Sequence, residues 1–385
     1  MSLYAFGSNG NHQLSLSHDE DLPTPQPCKF TTPPPSTPPK QIACGGNHTL
    51  LLYPNGTVFS TGLNTSGETA FPHNDSTPEH VQLFTQLPPP PPTEHSEPTW
   101  TLVAAGWSCS FLVDTQNRLF SLGSGHKGEL GHGEGITQKH LTISSQPDFS
   151  DSSFQLILPL EGDEDVVQLN ATVTHSLLVT SHGRVFGWGA ARKGQLGTPT
   201  VSAVWQPRIV TWAGMFKVRH AVCGRDFSVL VGDGEGEVVV LGKNRYGIED
   251  IPEGVKKVQF SEELVKVGAS WGGVHFLLKN GTVIGWGRND KAQLFSRTAQ
   301  DGGEKVVDMA IGSEHGVYLT EDQRLFAWGW NEHGNCGKMD GEGGKPVGIV
   351  REPHEIPVSS DAKGTGEKCV GFIAAGCASS WLWVR

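Results

Sequence analysis

The sequence has few charged residues, few methionines and no long apolar runs. Charged side chains make up 18% of its 385 residues, and only four residues are methionine. No stretch reaches the roughly 18 apolar residues that a membrane-crossing helix needs. The first residues, Leu3–Phe6, are typical of a strand rather than of the apolar region of a secretion signal. We therefore expect neither a membrane span nor a secreted protein.

Basic residues are also scarce. Lysine and arginine number 29 against 40 aspartates and glutamates, which gives a formal net charge of −11. The longest basic runs are the pairs Arg192–Lys193 and Lys256–Lys257. Because phosphate contacts need a basic face or tail, this balance disfavours direct nucleic-acid binding as the main task.

Paired cysteines and catalytic motifs are missing as well. The seven cysteines are an odd number without a Cys-x-x-Cys spacing, and we expect Cys44, Cys109, Cys223 and Cys377 to be free buried thiols in a reducing compartment. The zinc-protease, nucleophile-elbow and phosphate-loop motifs do not occur. Gly232–Gly236 is glycine-rich but acidic, which favours a turn over a phosphate site. The sequence thus predicts no enzyme, no metal site and no cofactor.

Glycine and tryptophan, in contrast, are abundant, with 49 and 11 residues. Because glycine is unfavourable in helices, this composition favours short strands joined by tight turns. Part of the glycine and tryptophan excess belongs to a sequence repeat. At seven places a glycine follows a residue that is most often apolar or aromatic, and we call this glycine the second-marker glycine. The second-marker glycines are Gly7, Gly62, Gly123, Gly189, Gly242, Gly287 and Gly329.

A fixed internal distance shows that the repeat is a structural unit. A first marker, usually a small-apolar stretch ending in glycine, precedes the second by 17, 17, 19, 18, 19 and 17 residues. Successive second-marker glycines lie 55, 61, 66, 53, 45 and 42 residues apart. A constant offset with variable connections is typical of one supersecondary unit with variable loops. The first-marker positions are Gly45, Gly106, Asn170, Gly224, Gly268 and Gly312, and Gly376 follows them without a second marker.

Each unit also contains a predicted hairpin turn, six residues before the second-marker glycine. Four of the six turn residues are glycine and one is asparagine, which indicates a backbone with positive φ. They are Gly56, Asn117, Gly183, Gly236, Gly281 and Gln323. Strand, turn, strand and second turn, repeated radially, predict a propeller blade.

The two ends of the chain carry complementary halves of a unit. Residues 3–14 match its later half and residues 370–385 its earlier half. Six complete units and two halves predict an all-β, seven-bladed β-propeller that is closed by pairing N-terminal and C-terminal strands in one blade. We expect a single domain over 1–385. Stretches that exceed the unit length are predicted to be loop insertions near 23–40, 71–99, 132–165 and 338–368.

The repeat resembles the regulator of chromosome condensation family. The match is most complete at Thr174–Val179, Gly183–Gly189 and Lys193–Gly197, and it covers essentially the whole chain. Propellers of seven blades are what this resemblance implies, while it says little about function.

Residues near the N-terminus are similar to one group within that family, the fungal alpha-tubulin suppressors. The similar segments are Leu3–Gly10, Gln13–Leu14, His18–Asp21 and Thr24–Gln26. This resemblance implies a non-catalytic heterodimer with the small zinc-finger (CSL-type), iron-binding electron carrier of diphthamide biosynthesis. It further implies support of diphthamide formation on elongation factor two and, indirectly through Elongator, of tRNA wobble uridine modification. We accordingly expect a cytoplasmic protein with a nuclear pool.

Candidate partner-binding residues lie in the loops after the first markers and beside the last Trp-Gly pair. They are large or charged residues that the construction of a blade does not require, and tryptophan and arginine are common binding hot spots. The alternative is that some of them cover the core, as we expect for Trp188, Trp286 and Trp328. The candidates are Trp107, Arg225, Asp226, Trp271, Glu314 and Trp330.

Two other functions stay open at this point. One is nucleotide exchange on a small Ran-like GTPase. Against it, we expect no basic tail at the N-terminus, and the net charge is negative rather than positive. The other is a metal enzyme with its site in the channel. His48, His175 and His315 share one register on different blades, however, so a structural hydrogen bond to loop backbone is the favoured interpretation for them.

Overall fold

The computed structural model describes residues 2–73, 77–141, 149–243, 245–299, 302, 304–339, 347–358 and 369–385. Its strands form seven antiparallel sheets. The first two strands, β1 (Ser2–Gly7) and β2 (Leu22–Pro27), are the outer half of one blade. Six further blades follow, numbered one to six in chain order, and the last two strands return to complete the blade of β1 and β2.

Three blades follow in the first half of the chain. The first contains β3 (Gln41–Cys44), β4 (His48–Leu52), β5 (Val58–Leu63) and β6 (His80–Gln86). The second contains β7 (Trp100–Ala105), β8 (Cys109–Asp114) and β9 (Leu119–Ser124), with β10 (Gln138–Lys139) and β11 (Gln155–Leu156) both paired to β9. The third contains β12 (Val166–Ala171), β13 (His175–Thr180), β14 (Val185–Ala190) and β15 (Ala203–Ile209).

Two blades in the second half have three strands each within the described residues. The fourth blade contains β16 (His220–Cys223), β17 (Phe227–Val231) and β18 (Val238–Gly242). The fifth contains β19 (Leu264–Ala269), β20 (Gly273–Leu278) and β21 (Val283–Gly287). The sixth again has four strands, β22 (Val306–Ile311), β23 (His315–Thr320), β24 (Leu325–Trp330) and β25 (Ile349–Glu355). Short helices α1 (Glu253–Lys256) and α2 (Phe260–Glu263) separate the fourth and fifth blades, and a single 3₁₀ turn covers Ser152–Phe154.

The last strands, β26 (Val370–Ala375) and β27 (Ser379–Val384), close the ring. β27 pairs with β1 over six residues, from Ser2 opposite Val384 to Gly7 opposite Ser379. The sheet order β2-β1-β27-β26 confirms the predicted seven-bladed propeller closed by its two ends. Among the described residues, no helix is long and apolar enough to cross a membrane.

The predicted turns are confirmed in the six blades that are continuous in sequence. All six turn residues have positive φ, including the non-glycine residues Asn117 at 59° and Gln323 at 68°. Trp188, Trp286 and Trp328 are buried, as predicted. The stretches predicted as loop insertions, however, contain most of β2 as well as β6, β10, β11 and β25, so their described parts also supply outer strands. These outer strands were not predicted from the sequence because they are exposed and lack the apolar pairs of the repeat.

One hydrogen bond recurs between all neighbouring blades. In each, a side chain donates to a backbone carbonyl six residues after the second-marker glycine of the preceding blade. The donor is a hydroxyl in four blades and an indole N–H in three. The acceptors are Gln13, Glu68, Glu129, Gln195, Ile248, Gln293 and Asn335, and the respective donors are Thr49, Ser110, Trp188, Ser228, Trp286, Trp328 and Ser380.

The two kinds of donor are alternatives at one cross-strand position. Where tryptophan precedes the second-marker glycine, as at Trp188, the residue opposite on the neighbouring strand does not donate. Where that position holds another residue, as at Leu241, the opposite residue is a serine or threonine that donates instead, here Ser228. A buried carbonyl left without a donor costs free energy, so each blade retains one of the two solutions.

Candidate partner-binding face

All six predicted binding residues belong to or border the loops at one end of the disc, here called the loop face, although the Glu314 side chain is buried beneath it. The loop face is formed by the loops between the first and second strands and between the third and fourth strands of the blades. Five of the residues lie in loops between first and second strands: Trp107 in blade two, Arg225 and Asp226 in blade four, Trp271 in blade five and Glu314 in blade six. The sixth, Trp330, is the last residue of β24. The opposite face consists of the hairpin turns with positive φ.

Trp107 and Trp271 contact each other across the centre of the ring. Their ring centroids are 6.0 Å apart with 49° between the planes. They come from the second and fifth blades, so the contact spans the axis. Trp107 is 43% exposed, and Trp271 is half-buried. We call these two residues the indole pair.

Backbone hydrogen bonds hold the loops that carry the indole pair. The Trp107 carbonyl accepts from the Gly46 amide at 2.9 Å, and the Trp271 amide donates to the Ser313 carbonyl at 2.9 Å. Arg225 joins the same cluster, because its amide donates to the Trp271 carbonyl and its guanidinium lies 5.9 Å from the Trp271 ring centroid. The cluster is therefore anchored by the backbone rather than by flexible side chains.

The indole pair covers a central channel of about 410 Å³. The inner strands and the loops after them line it, and the lining residues include Cys44, Cys223 and Cys377. The prediction of buried thiols is therefore confirmed fully for Cys109, while the three channel cysteines are half-buried. Burial raises the pKa of the Cys44 and Cys109 thiols to about 12, so both are protonated and unreactive at neutral pH.

Glu314 lies beneath the loop face instead of on it. Its carboxylate is buried and accepts from Arg288 Nη1 at 2.6 Å and from Gln293 Nε2 at 2.7 Å. Burial raises the pKa of Glu314, and the neighbouring Arg288 charge opposes that rise. Glu314 thus positions Arg288, whose guanidinium also pairs with Asp290.

Trp330 lies apart from the indole pair, in the sixth blade. Lys291 Nζ stands 5.5 Å from its ring centroid, and the His333 ring is 6.4 Å away edge-on. Asp226 is half-buried and lines a groove beside Arg225. The structure thus brings Trp107, Trp271, Arg225 and Asp226 together and leaves Trp330 separate.

The groove beside Arg225 was not predicted from the sequence. It has a volume of about 640 Å³ and runs over the second to fifth blades. We call it the basic groove, because seven of its lining residues are cationic: Lys127, Arg192, Lys193, Arg225, Lys243, Arg245 and Arg288. These residues come from five separate segments, so no run of the sequence reveals them. The parts of it that the sequence showed were the Arg192–Lys193 pair and the candidates Arg225, Asp226 and Trp271.

The three register histidines have a structural role, although the predicted partner was wrong. His48, His175 and His315 place Nε2 at 2.9–3.0 Å from a serine hydroxyl of the next blade rather than from loop backbone. Each serine donates its own proton to the carbonyl of the recurring inter-blade hydrogen bond, so the network assigns Nε2–H of each histidine as donor. Within the described parts of the chain, no group of three or more His, Cys, Asp or Glu side chains could hold a metal ion.

Comparisons with known proteins agree with this fold. The sequence model of the RCC1-like domain family matches residues 2–382. RCC1 repeat-containing protein C10F6.04 of Schizosaccharomyces pombe is 30% identical over 394 aligned positions, covering 100% of this chain and 99% of the relative. A secretion-regulating guanine nucleotide exchange factor of Mus musculus is 28% identical, covering 87% of this chain and 75% of the relative.

Solved structures give the same architecture. Human WBSCR16 superposes with a TM-score of 0.74 at 18% identity, with both chains covered completely. Prp20p of Saccharomyces cerevisiae superposes with a TM-score of 0.75 at 19% identity, covering 99% of this chain and 90% of that one. At these identities the two structures support the fold alone.

Proposed function

The chain belongs to the RCC1-like domain family, and from that membership and the geometry of the loop face we propose that it is a non-catalytic protein-binding propeller. The observation that carries the proposal is the indole pair. A tryptophan that remains 43% exposed while its loop is held by backbone hydrogen bonds is a preorganised anchor for a partner.

The surroundings of the pair fit such an anchor. A depression of about 440 Å³ lies beside Trp107 and Trp271 and is lined also by Val173, His126 and Cys109. Arg225 connects this depression to the basic groove. An aromatic centre with a charged margin is the usual arrangement of a protein interface.

The partner in this proposal is the one implied by the sequence resemblance, the small zinc-finger electron carrier of diphthamide biosynthesis. The loop face would cover part of the carrier and limit the access of solvent and oxidant to its metal. Through that complex the chain would support diphthamide formation on elongation factor two and Elongator-dependent wobble uridine modification, in the cytoplasm and the nucleus. The support for this finer proposal is the N-terminal similarity described above.

The test is binding of the purified carrier to the purified chain. We expect the double variant Trp107→Ala, Trp271→Ala to bind the carrier at least about tenfold more weakly, because it removes both hot-spot side chains. Ile157→Ala is the matched control, since Ile157 is 86% exposed but follows β11 towards the opposite face. Unchanged binding by the double variant, with the fold verified by thermal unfolding, would remove the indole pair from the interface.

Nucleotide exchange is the second candidate function. The observation that favours it is the 28% identity, over 87% of the chain, to a relative named as an exchange factor. A GDP-release assay with a Ran-like GTPase separates the two proposals. Accelerated release would favour exchange, whereas carrier binding without accelerated release would favour the protein-binding function.

A further inference from the structure

The basic groove contrasts with the charge of the whole molecule. The chain has a formal net charge of −11, yet seven of the residues that line this groove are cationic and only one, Asp226, is acidic. The opposite face has exposed carboxylates at and near its hairpin turns, namely Asp163, Asp165, Asp233, Glu235, Glu321 and Asp322. The excess of positive charge is therefore local.

Most of these cations are not paired with an acidic side chain in the part of the chain that the structure describes. Arg288 pairs with Asp290 and Glu314. Among the described residues, the other six form no ion pair, and Lys127, Arg192, Lys193, Arg225, Lys243 and Arg245 are all exposed. Like charges gathered around one concave surface repel each other and raise the local positive potential. That potential attracts an anionic ligand.

Both aromatic residues that line the groove are already engaged, Trp271 by Trp107 and Arg225 and Tyr246 by two arginines. The Arg245 guanidinium lies 4.9 Å from the Tyr246 ring centroid and donates to its hydroxyl, and Arg288 lies 5.5 Å from the same ring. Single-stranded nucleic acids need free aromatic faces on which bases stack. A long nucleic acid would in addition be repelled by the negative net charge of the molecule. The groove is thus better suited to a short acidic peptide than to a nucleic acid.

Continuity with the indole pair places this ligand in the same interface. Arg225 and Trp271 line both the basic groove and the depression beside Trp107. We propose that the basic groove binds an acidic segment of the partner protein while the indole pair binds an apolar part of it. This inference rests on the proposed protein-binding function and deepens it by naming the chemistry of the partner.

The experiment uses a short fluorescein-labelled oligoglutamate peptide and measures its fluorescence anisotropy with the full chain. The test variant is Lys193→Glu, Lys243→Glu, which reverses two exposed charges in the groove. The matched control is Lys257→Glu, Lys305→Glu, which changes the net charge equally but alters two exposed lysines towards the opposite face. Only the location of the reversed charges differs between the two variants.

We expect the groove variant to bind the peptide about tenfold more weakly or worse and the control to stay within about twofold, with binding by the unmodified chain falling as salt increases. Equal weakening in both variants would overturn the proposal, because binding would then depend on net charge alone. Tighter binding of an oligothymidylate of equal length, lost in the same groove variant, would overturn it in favour of a nucleic-acid site.

The outcome is separable from that of the proposed function. If the groove variant loses the peptide but the Trp107→Ala, Trp271→Ala variant keeps full carrier binding, the groove stands and the indole interface fails. If the peptide does not bind but the tryptophan variant loses the carrier, the protein-binding function stands and the acidic-segment inference fails.

Discussion

At the scale of single residues, the second-marker glycines are required by backbone geometry. All seven have φ between +92° and +112°. A Cβ added at Gly189 would lie 2.4 Å from the Thr174 carbonyl oxygen, because the loop between β12 and β13 folds directly over this position. Both the dihedral angle and the close approach therefore exclude side chains here.

Substitution of Gly189 separates these two causes. We expect Gly189→Ala to lower the free energy of unfolding by about 2 kcal/mol or more, because the new Cβ must displace backbone as well as adopt the unfavourable φ. Gly214→Ala is the control, since Gly214 also has positive φ but nothing within 4 Å of its added Cβ. Denaturant unfolding measures both. Equal losses would mean that the dihedral angle alone accounts for the repeat.

Glu314 was predicted from the sequence as an exposed partner-binding residue, but its side chain is buried. Sequence reasoning selected it because blade construction does not require a carboxylate there. The structure buries it under Arg288, 2.6 Å from Nη1. Sequence distance conceals this pairing, because Arg288 belongs to the preceding blade.

At the scale of elements, the inter-blade hydrogen bond explains why the Trp-Gly position varies. Thr61, Leu122, Leu241 and Phe6 replace tryptophan without loss of the bond, because the residue opposite supplies a hydroxyl. The net contribution of one such hydrogen bond to the free energy of unfolding is about 1 kcal/mol. Seven such bonds link the blades around the ring.

Removal of one hydroxyl tests this explanation. We expect Ser228→Ala to cost about 1–3 kcal/mol of unfolding free energy, because the Gln195 carbonyl and His175 Nε2–H both lose their partner inside the core. Ser121→Ala is the matched control, as Ser121 is equally buried but its hydroxyl has no partner among the described residues. Comparable losses in the two variants would show that cavity formation dominates over hydrogen bonding.

The elements also define what a single sequence can predict. The offset of 17–19 residues between markers identified the blades, and the turn positions identified their hairpins, because both depend on local backbone geometry. Outer strands such as β2 and β25 were missed, since they are exposed and carry no apolar period. The basic groove was missed because Lys127 and Arg288 become neighbours only when the ring closes.

At the scale of the whole molecule, the ring depends on neutral buried histidines. Burial lowers the pKa of His48 and His315 to about 4 and that of His175 and His275 to about 3. An unfolded histidine titrates near pKa 6.5. Between these values the unfolded chain binds protons that the folded chain does not bind, so the stability is complete above about pH 6.5 and is lost as pH falls towards 4.

We therefore expect the free energy of unfolding to fall between pH 7 and pH 5 by up to about 1.4 kcal/mol per pH unit for each of the four histidines. Urea unfolding at several pH values measures the slope. His175→Gln should lower stability at pH 7 but make the slope shallower, because one proton-binding group of the unfolded state is gone. His95→Gln, at a side chain that is 88% exposed, should leave the slope unchanged. A slope that is the same in His175→Gln as in the unmodified chain would contradict the neutral burial of His175, because this comparison cancels opposing groups such as Glu68 and Glu314, whose pKa burial raises.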